Sequence, residues 1–220
     1  MGAPLTVYIE GDGYAWKNRR HLSDDPTPTD PVALRLAVQD PSANVVYLAR
    51  PCQYVAGEDR QGCDADYWSS KRFAEEVIHA TDQALDSLRA QAQAAKLSLI
   101  GYSGGGAVAV LVAARRTDVV SLRTVAGTLN HVAFTDRHGV TPLQGSLNPI
   151  DQAAALSAIP QHHFVGGADT IIPPDIAREF VNRANTHGCA TLTVVPEATH
   201  FEGWVALWPA LLSRPFPCLR

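Results

Sequence analysis

The chain has 220 residues, of which 46% are apolar and 18% charged, with a formal net charge of −4. That length suits a single domain over residues 1–220 with a substantial core, and the acidic balance leaves no basic footprint for nucleic acid. No apolar run approaches the ~18 residues needed to span a bilayer, no repeat is visible, and no C-x₂₋₄-C pair points to zinc or another metal.

The N-terminus, MGAPLTVYIEGDG, lacks the basic patch, apolar core and cleavage site of a signal peptide. It enters a strand almost at once, which reads as a mature or trimmed form. Leu5–Glu10 is that first strand, ending in Gly11-Asp12-Gly13, and the polar stretch Asn18–Asp30 reads as a loop. Asp30-Pro31 has the form of an N-cap followed by a first-turn proline, opening a short helix to Gln39. Asn44–Ala49 is a second strand. Ser69 or Ser70 is placed to cap a long helix ending near Ala95, with Phe73, Val77, Leu85 and Leu88 on its apolar face. Leu97–Tyr102 is the third strand, followed by a glycine-rich turn and a helix over Gly104–Arg115. Leu122–Ala126, His163–Gly166 and Thr191–Val195 complete six strands, with helices over Asp175–His187 and Glu202–Leu212. Thr128–Pro160 has mixed character and reads as a small lid. Continuous apolar strands separated by helices predict an α/β fold in three layers, a mainly parallel sheet covered on both faces.

Four cysteines allow three pairings. Cys52 and Cys63 bracket one polar loop, and pairing Cys189 with Cys218 would pin the C-terminus. Paired in this way they imply an oxidising compartment, periplasmic or extracellular; the alternative is four reduced thiols in the cytoplasm.

The turn after the third strand, GYSGGGAVA, satisfies two motifs. Gly104, Gly106 and Ala109 fit a dinucleotide fingerprint, which requires an acidic residue closing the next strand to bind ribose. That strand ends in Gly127-Thr128-Leu129-Asn130, with no Asp or Glu, and no Lys-Ser/Thr follows the glycines to make a phosphate loop. No cofactor is therefore expected. Gly101, Ser103 and Gly105 fit G-x-S-x-G, a turn so tight that a Cβ at either flanking glycine would clash. A serine there needs a base to take its proton and an acid to orient the base, in the chain order Ser, Asp, His on loops after successive strands. Asp169 follows the strand ending at Gly166, and His200 follows the strand ending at Val195. Order and position agree.

With these motifs in register, the sequence resembles the α/β-hydrolase superfamily over essentially its whole length. GYSGGG, VGGADTIIPP and EATHFEGW are similar to that superfamily's nucleophile, acid and histidine loops. YIEGDGYAW, YLARPCQY and TVAGTLNH also resemble a group of small bacterial hydrolases. The usual first two strands have no counterpart before Leu5, so the resemblance implies a reduced sheet of six strands in the family order 4-3-5-6-7-8.

These readings make Ser103 the nucleophile, His200 the general base and Asp169 its orienter, with Asp136 and Asp151 as alternative acids. A capping role for Ser103 and a turn-forming role for Asp169 are the plainer alternatives. The oxyanion donors are expected to be the backbone N–H groups of Gly104 and Asp12, with Gly13 in reserve. Glu10 and Asp12 are then expected to be held off by partners such as Arg50 or Lys17. His162 and His163 read as structural, and His131 and His138 lie in the lid segment. Trp16, Tyr54, Trp68, Phe201 and Trp204 flank the mouth, with packing expected for at least half. The expected activity is cleavage of a small ester through an acyl-enzyme. A thioesterase, an amidase or peptidase, and a catalytically silent binding module are the alternatives. Nothing in the sequence specifies an oligomeric state.

Overall fold

The computed structural model describes residues 3–18 and 20–218. Six strands form one sheet: β1 (Leu5–Ile9), β4 (Val45–Leu48), β5 (Leu97–Tyr102), β6 (Val119–Val125), β7 (Gln161–Gly166) and β8 (Ala190–Val195). Their order is β4-β1-β5-β6-β7-β8, and every pairing is parallel. This is the expected order, β1 and β4 taking the places of the family's third and fourth strands.

The strands are rich in apolar residues because both faces are covered. Leu5, Val7 and Ile9 of β1 point into a core shared with α2 (Glu75–Gln91), α3 (Gly104–Ala113) and α5 (Pro174–Ala184). Tyr8 points into the opposite core, with α1 (Val32–Ala37) and α6 (Trp204–Leu212). All ten residues of α3 are buried, as its uninterrupted apolar sequence requires. The segment between β6 and β7 contains α4 (His131–His138) and 3₁₀ turns at Pro149–Gln152 and Ala154–Leu156. It buries Leu143, Ile150, Ala153 and Leu156 in the first of these cores.

Three local expectations need correction. The stretch read as a loop after Asn18 is entered by a short antiparallel hairpin, β2 (Trp16–Asn18) with β3 (His21–Leu22). Asp30 does not cap α1. Its carboxylate pairs with Arg35, while the Ala33 N–H is taken by Glu10. Helix α2 starts at Glu75 rather than at Ser69 or Ser70. Those hydroxyls donate instead to the Ala65 carbonyl and the Asp66 carboxylate, within a turn that precedes the helix. Both expected disulfides are present, Cys52–Cys63 and Cys189–Cys218.

His162 and His163 lie within β7 and are structural. His162 stacks on Phe164 at 4.2 Å between ring centroids, and His163 Nδ1 is 2.8 Å from the Thr124 hydroxyl. Burial, with Arg123 and Arg214 nearby, pushes His162 down to about 4, and burial pushes His163 down to about 3. The folded chain thus keeps both imidazoles neutral where the unfolded chain protonates them, near pH 6.5. Stability is expected to fall as pH drops below about 6.5, and to go on falling until about pH 3. Urea melts at stepped pH should show that slope, and His162→Gln should make it shallower.

Candidate active site

Ser103 stands between β5 and α3 with φ 50° and ψ −120°, a positive φ that a non-glycine residue adopts only at a cost. The turn is tight for an identifiable steric reason. A Cβ at Gly101 would be driven into the Gly105 carbonyl, and one at Gly105 into the backbone oxygens of Ile9 and Glu10. Gly106 is also confined, since a Cβ there would meet the Gly127 Cα at 2.9 Å. Although Ser103 occupies the N-cap position, its side chain makes no capping bond. Its Oγ lies 3.0 Å from His200 Nε2.

His200 follows β8, and its Nδ1 is 2.9 Å from Asp169 Oδ2. Asp169 follows β7. Its other oxygen accepts from the Ile171 and Ile172 N–H groups, both at 2.8 Å, so it shapes its own turn and meets the imidazole as well. The His200 carbonyl accepts from the Tyr102 hydroxyl and from the Trp204 indole, each at 3.0 Å, which fixes the backbone beneath the ring. Asp169 and His200 are both buried. Asp136 and Asp151 are exposed. His138 Nε2 is 2.8 Å from the Ile171 carbonyl, and His131 is buried beside Phe73.

A cavity of about 520 Å³ opens over Ser103 and His200, within the range of small-molecule sites. The Gly11–Gly13 loop and Arg72 form one side, and Phe134, Leu143, Ile171 and Ile172 form an apolar wall. Of the five aromatic residues expected at the mouth, Trp16 and Phe201 line it. Trp68 and Trp204 are buried, their indoles donating to the Ser23 and Thr199 carbonyls, and the Tyr54 hydroxyl faces that of Tyr47.

Glu10 and Asp12 both line the cavity, and each acidic side chain is held by partners. Glu10 accepts from the Gly11 and Ala33 N–H groups and from the Tyr47 hydroxyl. Burial nevertheless raises its carboxyl above the ordinary value. Asp12 is bound by Arg50 at 3.1 Å and by Arg72 at 2.7 Å. Burial alone would raise the Asp12 carboxyl, but Arg72 and Arg50 outweigh it and hold it below the usual range. Of the expected partners, Arg50 therefore serves Asp12. Lys17 does not, because it pairs with Asp24. Arg72 lies in the turn before α2, not in a helix, and so reaches Asp12. Gly104, at the first turn of α3, has an N–H that the helix itself cannot satisfy. Its missing Cβ makes room for the Asp12 carboxylate.

No protein-family model matches the sequence, and no curated protein matches it. Solved structures do. An esterase from Pyrococcus furiosus is similar with a TM-score of 0.66 at 13% identity, covering 96% of this chain and 79% of that one. The esterase domain of a Rhodothermus marinus protein aligns with a TM-score of 0.61 at 14% identity, over 94% and 84%. An α/β serine hydrolase homologue from Coxiella burnetii aligns with a TM-score of 0.59 at 15% identity, over 94% and 81%. The chain has the α/β-hydrolase fold.

Among the described residues, no group of three or more His, Cys, Asp or Glu side chains is placed to hold a metal ion, and no helix is long and apolar enough to cross a membrane. The Gly105 contacts yield a direct test. Because the obstructing atoms are backbone, Gly105→Ala is expected to cost about 2–3 kcal/mol or more of stability, read from urea denaturation.

Proposed function

We propose that the protein is a serine hydrolase that cleaves a carboxylic ester through a covalent acyl-enzyme. The observation that carries the reading is the unbroken chain of contacts from Ser103 Oγ through His200 to Asp169. A serine hydroxyl is a weak nucleophile until a base takes its proton. His200 Nε2 accepts that proton as Oγ attacks the ester carbonyl, while Asp169 fixes the tautomer and stabilises the imidazolium. The tetrahedral oxyanion is received by the N–H groups of Gly104 and Asp12. His200 then protonates the departing alcohol. In the second half-reaction it deprotonates a water, which attacks the acyl carbon and releases the acid and free Ser103.

Thioesters and amides use the same apparatus, so the bond preference is a matter for a substrate panel. The apolar wall of the cavity suits a small acyl group, and the segment over 128–160, which supplies Phe134 and Leu143 to it, serves as its cover. Two disulfides favour an oxidising compartment, periplasmic or extracellular.

A fluorophosphonate probe is expected to label the wild-type protein at Ser103, located by peptide mass spectrometry, and to leave Ser103→Ala unlabelled. A folded wild-type protein that resists labelling would overturn the reading in favour of a silent binding module. On p-nitrophenyl esters, Asp169→Asn is expected to lower kcat about 10³–10⁴-fold. Near-normal turnover would move the acid to another residue.

A further inference from the structure

The Asp12 carboxylate presents an electrostatic difficulty for the reading just given, on which this inference rests. It lies against Gly104, where a Cβ would collide with its Oδ1, and the Gly104 N–H is one of the two donors assigned to the oxyanion. Asp12 also carries the other donor on its own backbone. A negative side chain so close to a developing negative charge opposes it, and because the Asp12 side chain is mostly buried the opposition is weakly screened. Two guanidinium groups answer it. Arg50, its side chain 5% exposed, binds one carboxylate oxygen and also donates to the Arg72 carbonyl. Arg72 binds the other oxygen, and its Nε donates to the Ser69 carbonyl at 2.8 Å. Only Arg72 of the two also lines the cavity.

We infer that Arg72 is a positioning residue for the Ser103 site: it neutralises the Asp12 carboxylate beside the oxyanion donors and holds the Asp12 backbone N–H toward the reacting carbonyl. The turn between Ser69 and Ala74, where a continuous helix was expected, is what delivers the side chain to this place. The ester carbonyl is uncharged in the ground state and the oxyanion forms only on attack. The effect of Arg72 therefore belongs to the transition state, and kcat carries it rather than KM.

The experiment is a double-mutant cycle on p-nitrophenyl acetate, with thermal melts and circular dichroism as controls of folding. Arg72→Gln is expected to lower kcat by at least about tenfold, with KM changed by less than about threefold. Introduced into Asp12→Asn, where no carboxylate remains to be neutralised, the same change is expected to cost less than about threefold in kcat. An equal loss in both backgrounds would overturn the inference, because Arg72 would then act through packing and not through the charge of Asp12. Arg72→Lys keeps the cation but gives up the Ser69 bond, and should remain within about fivefold of wild type. A loss of about tenfold or more in folded Arg72→Lys overturns the inference as well, and this variant decides the matter if Arg72→Gln does not fold. A wild-type protein that neither labels with fluorophosphonate nor turns over ester sinks the hydrolase reading and this inference together. One that labels normally, with Arg72→Gln indistinguishable from it, sinks the inference alone.

Discussion

The closeness with which the N-terminus of α3 approaches β1 and β5 governs the geometry of the whole sheet edge. At Gly101 and Gly105 no side-chain atom is tolerated, because backbone carbonyls occupy the space. The strained conformation of Ser103 follows from that compression, as does the direction of its Oγ, away from the helix and toward His200. A looser junction would let the serine relax toward an ordinary N-cap, bonding its hydroxyl to the free N–H groups of the first helical turn. The hydroxyl would then be turned away from His200. Apolar burial maintains the compression: α3 is enclosed on every side, so a shift that relieved the turn would open a void in the core.

The same closeness creates a polar problem next to the serine. The loop after β1 carries two carboxylates, Glu10 and Asp12, into a region of low exposure. Each is answered differently. Glu10 collects N–H and hydroxyl donors, yet burial still raises its carboxyl. Asp12 has two cations, and they outweigh the cost of its burial. Removing one partner of such a buried charge is costly because the other is left uncompensated. The loop is accordingly fixed by interactions that fail together rather than one at a time.

Much of this was legible in the sequence, and what was not has identifiable physical causes. The strands could be placed because burial on both faces produces continuous β-rich runs. Ser103, Asp169 and His200 could be nominated because each follows such a run directly and in the required chain order. Arg72 and Gln53 could not. Arg72 reaches a residue 60 positions away, and Gln53 donates to the Gly11 carbonyl 42 positions away. Contacts of this kind leave no periodic trace. Serine before an apolar-periodic segment is a good capping signal, but the Ser69 and Ser70 hydroxyls are taken by partners four residues back, Ala65 and Asp66, and α2 starts later. The β2–β3 hairpin leaves no sequence signal because its residues are mostly exposed and show no alternation.

The loops at the sheet edge lie outside regular hydrogen-bonded structure, and buried backbone groups there still need partners. In each loop a buried side chain supplies them. Glu10 ties the Gly11 N–H to the first turn of α1. Gln53 joins the Gly11 carbonyl, the Pro26 carbonyl and the Arg50 N–H, and a Cβ at Gly13 would press on its amide. Asp169 takes the N–H groups of Ile171 and Ile172. The neighbour of Gln53 is Cys52, which is tied to Cys63, so a covalent link limits how far the Gln53 turn can move. Positioning in this protein is thus extended from the sheet into its loops by side chains that act as substitute backbone partners. Such ties lock side-chain rotamers around Ser103 and His200, and they come from positions, Glu10 and Gln53 among them, where no motif would look for them.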